Sequence, residues 1–258
     1  KSKGYSLTDE QKATLQAEAA TKLQAREAAL LKTHEAVAAK VTRSMESLVP
    51  VVELTPYMSA KGIQPLSGVL TDKAGKETVI PAIDENGKQW TAQYIQKDGT
   101  KRFAKDGRKE GCFHPLGGLD ALAAAPVIVI AEGYATASTL ASSLGHATVA
   151  AFDSGNLPAV AKALHAKFPD KPIVIAGDDD RHQVMTHGTN AGRTKAVEAA
   201  KAVGGKAIFP TFAPGEVVYP DTLPAITPQA YRKHTQAAGE LKTLISQDGP
   251  SAGDPAQS

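Results

Sequence analysis

The sequence predicts an α/β chain: a parallel sheet flanked by helices, preceded by a small antiparallel β-rich subdomain and a long N-terminal helix. Three observations predict it. Two apolar runs, Val127-Ile128-Val129-Ile130-Ala131 and Ile173-Val174-Ile175-Ala176, are short, β-branched and followed by helix-forming sequence, as strands of a buried parallel sheet are. Segments upstream of them alternate apolar and polar residues between turn signals, as an antiparallel meander does. Residues 8–47 contain no Gly or Pro and keep apolar residues at helical spacing.

Size and composition narrow the possibilities. A chain of 258 residues with a hydrophobic fraction of 42% has room for one large domain or two small ones around a packed core. The net charge of +2 gives no bulk attraction for nucleic acid, so any basic surface must be local. Cys112 is the single cysteine, which excludes a disulfide framework or a multi-cysteine zinc ribbon within this chain and suits a reducing cytoplasm. No apolar run approaches the ~20 residues that span a bilayer, and no signal peptide is visible, so no membrane partner is expected. The first residue is Lys1 rather than Met, as expected of a piece of something longer.

The expected segments are residues 1–48 as the long helix, 49–122 as the β-rich subdomain, 123–212 as the parallel α/β domain, and 213–258 as a C-terminal helix and disordered tail. In the first, Thr8 followed by Gln11 fits a capping box, and Leu15, Ala19, Leu23, Leu30, Val37 and Val41 form a thin apolar stripe. That stripe suits a solvated or packing helix; partner binding or dimerisation is the sharper reading. Pro50 and Pro56 are expected to end the helix.

In the second segment, residues 78–83 read as a strand, 84–87 as a turn with Gly87 at the position needing φ > 0, and 89–96 as a half-buried strand. Residues 97–100 form a second turn, and 101–103 start a third strand. Between residues 97 and 110 lie six basic side chains, Lys97, Lys101, Arg102, Lys105, Arg108 and Lys109, against three acidic ones. A solvated hairpin has this composition; so does a groove wall that contacts phosphates.

In the third segment, residues 133–144 read as a helix, 147–152 as a strand, and 153–156 as a turn in which Asn156 caps the helix that runs to 168. The strand from Ile173 ends at Asp178. A helix over 191–203 is stopped by Gly204-Gly205, and 206–210 is a fourth strand. Short β–α–β connections imply a right-handed parallel arrangement.

Loops at the carboxyl ends of such strands are where open α/β sheets bind ligands. The first strand delivers Glu132 there, and the later one delivers Asp178-Asp179-Asp180. In an extended triplet, positions 178 and 180 share a side and 179 points away. Carboxylates gathered at one edge repel one another, and a divalent cation relieves that repulsion. Glu132, Asp178 and Asp180 are therefore candidates to hold Mg²⁺, or Mn²⁺, for phosphoryl or nucleotidyl transfer, with Glu132 also a candidate acid or base on a ribose hydroxyl. A solvated acidic loop with helix caps has the same spacing.

Glu132-Gly133-Tyr134-Ala135-Thr136-Ala137, Gly177-Asp178-Asp179-Asp180 and Asn190-Ala191-Gly192-Arg193 together resemble the Toprim domain, the fold shared by DnaG-type primases, topoisomerases and some nucleases. Residues 55–63 and 93–101 extend the resemblance to plasmid-encoded primases of the TraC type and the primase parts of mobile conjugative elements. The resemblance covers about residues 55–216. It implies a DNA primase that builds short RNA primers on single-stranded DNA from ribonucleoside triphosphates by Mg²⁺-dependent nucleotidyl transfer. It makes Glu132 the acid/base or metal-proximal carboxylate and Asp178 and Asp180 the metal ligands. Lys101, with Arg102 and Lys105, would line the nucleotide and template groove, while Arg193 and Lys195 would touch triphosphate. A replicative helicase, or further domains of a longer parent protein, are the implied protein partners.

Thr136 stands where chromosomal primases carry an acid, and the Asp-Phe-Asn-Asp of plasmid relatives is not found after Glu216. A Toprim nuclease, or a weakened module that only binds nucleic acid, therefore remains the alternative. A topoisomerase would need a nucleophilic tyrosine in a further domain, and Tyr134 reads as a core aromatic. His182, His187 and Cys112 match no compact zinc spacing and are expected at the surface or in the core.

Overall fold

A computed structural model describes residues 7–180 and 188–210. The expectations for residues 213–258, and for His182 and His187, lie outside the described residues.

Helix α1 (Asp9–Met45) begins at the predicted capping box. The Thr8 hydroxyl accepts from the Gln11 N–H at 3.2 Å, and the Gln11 side chain accepts from the Thr8 N–H at 3.0 Å. Only Ala38 and Val41 of this helix are buried; Val41, with Val37 and Met45, covers Val79 and Ala92 of the sheet described next, while Ala38 joins the core that holds Trp90. Leu15, Leu23 and Leu30, earlier on the helix, are half exposed. The last third therefore packs, and the preceding turns are solvated. The helix stops before either proline. Pro50 lies in β1 (Val49–Pro50), while Pro56 opens a short helix, α2 (Pro56–Lys61). Proline at a first helical position forfeits only an N–H that has no intrahelical partner, and the buried Thr55 hydroxyl caps this turn from the Met58 N–H at 3.3 Å. The sequence reading did not include α2.

β2 (Leu70–Thr71), β3 (Thr78–Ile83), β4 (Gln89–Ile95) and β5 (Lys101–Phe103) complete an antiparallel sheet in the order β1-β2-β3-β4-β5. The last three strands are the predicted meander, and Gly87 turns the β3–β4 hairpin at φ 85°. β1 and β2, of two residues each, are too short to carry a periodic signal.

The second sheet runs β10-β9-β7-β8-β6. Its strands are β6 (His114–Leu116), β7 (Ile128–Ala131), β8 (Thr148–Ala150), β9 (Ile173–Ala176) and β10 (Lys206–Ile208). β7, β8, β9 and β10 are mutually parallel, as the short β–α–β connections predict, and β6 joins antiparallel to β8. The helices are α3 (Gly118–Ala124), α4 (Tyr134–Leu144), α5 (Leu157–Lys167) and α6 (Ala191–Ala202), with a 3-10 turn at Ser154–Asn156. Alternation along β7 separates two cores. Ile128 and Ile130 pack with Leu157, Val160, Leu164 and Ala196 on the α5 and α6 side. Val129 and Ala131 face Tyr134, Met58 and Ile80 on the side of α4 and the first sheet. Among the described residues no helix is long and apolar enough to cross a membrane.

One expectation is corrected here. Asn156 does not cap α5 with its side chain. Asp153 caps the 3-10 turn instead, accepting from the Asn156 N–H at 3.0 Å. The Asn156 side chain turns inward because buried backbone groups of two separate segments need partners there.

His114 joins the layers. It is buried, its Nδ1 lies 3.0 Å from the Pro81 carbonyl, and its ring meets Tyr134 edge-on at 5.8 Å. Burial pushes its pKa down to about 4, against the pull of that carbonyl. A depressed histidine leaves the folded state neutral while the unfolded chain takes up a proton, so its contribution is intact above pH 6.5 and is lost as pH falls toward 4. At ~1.4 kcal/mol per unit, roughly 3 kcal/mol of acid destabilisation is expected from this ring. Urea unfolding of His114→Asn should show a flatter pH dependence between 6.5 and 4 than the unchanged protein; equal slopes would contradict it.

Candidate metal and nucleotidyl-transfer site

The site is built by strand register. Ala131 of β7 pairs with Ala176 of β9, so Glu132 and Gly177 leave the sheet side by side and Asp178 follows one residue later. Gly177 is where α6 crosses the sheet. A Cβ on it would fall 2.5 Å from the Ala196 Cβ and 2.8 Å from the Phe209 ring, so only glycine fits. Asn190 caps α6, its side-chain oxygen accepting from the Arg193 N–H at 3.0 Å.

Within the acidic triplet the expected division holds for the middle residue. The Asp179 side chain is 4% exposed and turns to the start of α6, accepting from the Asn190 amide at 2.7 Å and from the Arg193 guanidinium at 3.4 Å. Asp178 and Asp180 stand electrostatically with Glu132. Gly192 marks the point of convergence. A Cβ there would lie 3.4 Å from both Asp180 Oδ2 and Glu132 Oε2, and 2.9 Å from the Asp178 carbonyl oxygen.

Charge is concentrated accordingly. Burial, then Asp178, pushes the Glu132 pKa up to about 7; the Ser154 backbone N–H, turned toward that carboxylate, partly offsets this, and Asp180 and Asp153 add to it. Burial and then Asp180 raise Asp178, while Lys101 and Lys61 pull it down. Glu132 Oε2 is buried with no hydrogen-bond partner. A buried, unpaired oxygen among like charges is what a hard cation relieves. The donors are all carboxylate oxygens, which suits Mg²⁺ or Mn²⁺ rather than zinc. Among the described residues no three His, Cys, Asp or Glu side chains already close on one point as a ligand set.

The predicted basic residues separate. Lys101 faces the carboxylates, interacting with both Asp178 and Glu132, and its ammonium lies 5.8 Å from the centroid of the Tyr57 ring. Its side chain is exposed, yet partial burial of the ammonium, then the Lys61 charge, lower its pKa. Arg102 is next on the strand and by alternation takes the other face, where it interacts with Asp98. Lys105 is exposed, and no described contact links it to the carboxylates. Arg193 is held by Asp179 and stacks 4.2 Å over the Phe209 ring, and Lys195 pairs with Glu198 at 2.7 Å. Tyr134 is fully buried and Cys112 is a buried free thiol, as expected of core residues.

Sequence reasoning missed Lys61, Ser154 and Gly192. Lys61 ends α2, an unforeseen element. Ser154 acts through its backbone, which no side-chain pattern reports. Gly192 was quoted in the motif Asn190-Ala191-Gly192-Arg193 without a role, though a glycine in the first turn of a helix was itself a signal of close approach.

Residues 127–213 match the Toprim domain family, and the chain carries that domain. Two similar proteins are both DNA primase TraC of Escherichia coli. One is 64% identical over 256 residues, covering 99% of this chain and 18% of that protein. The other is 66% identical over 241 residues, covering 93% of this chain and 23% of its own length. The chain thus spans about a fifth of the curated relatives it matches. Among solved structures, the primase fragment of the bacteriophage T7 primase-helicase protein is 14% identical, with a TM-score of 0.39 over 72% of this chain and 69% of that one. The DnaG catalytic core is 15% identical, with a TM-score of 0.39 over 84% of each chain.

Gly192→Ala should cost about 1–3 kcal/mol through overpacking against the Asp178 carbonyl, read by urea unfolding. Unchanged stability would mean that the backbone there has room to spare.

Proposed function

We propose that this chain is the nucleotidyl-transfer core of a DNA primase, synthesising short RNA primers on single-stranded DNA from ribonucleoside triphosphates. The observation that carries the reading is the convergence of Glu132, Asp178 and Asp180 beside Lys101 and Lys61, in a chain 64% identical to a DNA primase over nearly its whole length. That relative is named for primer synthesis as a whole protein, so its activity comes to this chain as a proposal. The same reading places the reaction in the cytoplasm, with a replicative helicase or further domains of a longer parent protein as partners. The TraC names associate it with plasmid conjugation.

Asp178 and Asp180 would hold the divalent cation, Mg²⁺ or Mn²⁺, with Glu132 at its edge. When bound, the cation would screen the three carboxylates and polarise phosphate oxygens. Glu132, with a pKa near 7, is suited to take the proton from an attacking ribose 3′-hydroxyl. The Lys101 and Lys61 ammonium groups sit where they would offset triphosphate charge. Arg102 and Lys105, both exposed, are proposed to hold the template by its backbone. Arg193 and Lys195 would reach triphosphate only by giving up Asp179 and Glu198.

The test is product analysis after incubation with single-stranded DNA, Mg²⁺ and ribonucleotides. Primers are expected from the unchanged chain and none from Asp178→Ala or Asp180→Ala, both remaining folded. Unchanged dinucleotide formation in either variant would refute the site, and cut DNA in place of primers would refute the reaction. Lys101→Ala should weaken nucleotide or template binding by about 3–10-fold and lessen its salt dependence, since one phosphate contact is lost. Superimposable binding curves at several salt concentrations would contradict that role.

A further inference from the structure

The loop after β8 runs beside the strand end that delivers Glu132, and residues distant in sequence tie it down. The Ala151 N–H donates to the Ala131 carbonyl at 2.9 Å, so the loop after β8 leaves the sheet level with the residue preceding Glu132. Phe152 then adopts φ 76°. That left-handed backbone is strained for a bulky aromatic and persists only where the surroundings over-determine it. Asp153 caps the next turn, which opens at Ser154.

Three ties from the β-rich half converge on these few residues. The Phe103 ring meets Phe152 edge-on at 5.2 Å and 87°. The Lys109 ammonium pairs with the Asp153 carboxylate. The third tie is Asn156, which is 3% exposed. Its oxygen accepts from the Gly111 N–H at 2.9 Å, and its amide donates to the Cys112 carbonyl at 2.8 Å and the Ala151 carbonyl at 2.9 Å. It makes no side-chain bond to the helix it precedes. An asparagine needed only to start α5 would not spend its amide on segments 44 and 45 residues away.

We infer that Asn156 is a positioning residue for Glu132: it clasps residues 111–112 onto the loop 151–156, and so fixes the backbone against which the Glu132 carboxylate is set. The inference rests on the role given to Glu132 above. It makes the β-rich half part of the carboxylate's support as well as a wall for the template. Asn156 touches no reacting atom in this account; it acts through the backbone of the loop 151–156, which the Ala151–Ala131 hydrogen bond holds beside Glu132.

Two measurements test it on the whole chain. The first is amide hydrogen exchange without nucleotide or metal. In Asn156→Ala the Ser154 amide is expected to exchange at least ~10-fold faster, with amides of β7 and β9 unchanged, because only the loop is released. Lys109→Met removes a half-exposed tie and leaves the buried ones, so it should fold and show a smaller change of the same kind. The second is steady-state dinucleotide synthesis. Asn156→Ala should lower kcat by ~10–100-fold with KM for nucleotide within about twofold, as misplacement of a reacting group does. Unchanged Ser154 exchange in both variants, or a loss confined to KM, would overturn the inference. Exchange needs no catalysis: a wild-type chain that makes no primer while Asn156→Ala still frees Ser154 would sink the primase reading and leave the clasp standing.

Discussion

Carboxylates brought together by strand register are the constraint around which the rest of this molecule is arranged. The β7–β9 pairing leaves no choice: once Ala131 lies opposite Ala176, Glu132 and the acidic triplet must share one edge of the sheet. Two unit charges ~4 Å apart repel by roughly 1 kcal/mol in water and several times that near a protein surface. The raised acid at Glu132 records that repulsion together with burial. For a raised acid the sign is unfavourable to the fold at neutral pH: the site costs nothing below pH 4.5 and progressively more as pH climbs through 7. Under the proposed function, a divalent cation would offset this cost.

The neighbouring groups divide between tolerating this charge and using it. Asp179 is removed from the cluster by Asn190 and Arg193, which turn it into a brace for the start of α6. Beside that brace Gly192 packs so close that an added Cβ would lie 2.9 Å from the Asp178 carbonyl oxygen. Lys101 and Lys61 approach from the antiparallel half and lower the cost, Lys101 with its ammonium partly buried. The two sheets therefore supply opposite signs: acid from the ends of parallel strands, base from a hairpin strand and a short helix.

Much of this was legible in the residues. The runs at 127 and 173 announced adjacent parallel strands because β-branched apolar stretches buried on both faces have few other readings. Their ends then located Glu132 and Asp178, and alternation separated Asp179 from its neighbours. The β3–β5 meander was legible because Gly87 and Gly99 punctuate it at positive φ. What escaped was set by long-range contacts. β6 is three residues with a proline, and no local pattern marks it; it is a strand because β8 lies beside it. Asn156 looked like a helix cap because a cap is local, whereas its actual partners lie at Gly111, Cys112 and Ala151. Arg193 and Lys195 looked available for phosphate because sequence shows charge and not the partner that occupies it.

The central claim is that Glu132, Asp178 and Asp180 form an electrostatically strained set completed by a divalent cation. It is tested most directly by the stability of the unchanged chain and of Asp178→Asn at pH 8, each measured with a chelator and again with saturating Mg²⁺ or Mn²⁺. Removing one charge should relieve repulsion, so Asp178→Asn should be at least as stable as the unchanged chain in chelator. Metal should then stabilise the unchanged chain, as any ligand selective for the folded state does, and stabilise the variant far less. An Asp178→Asn chain that is less stable in chelator, together with an unchanged chain indifferent to metal, would contradict the account.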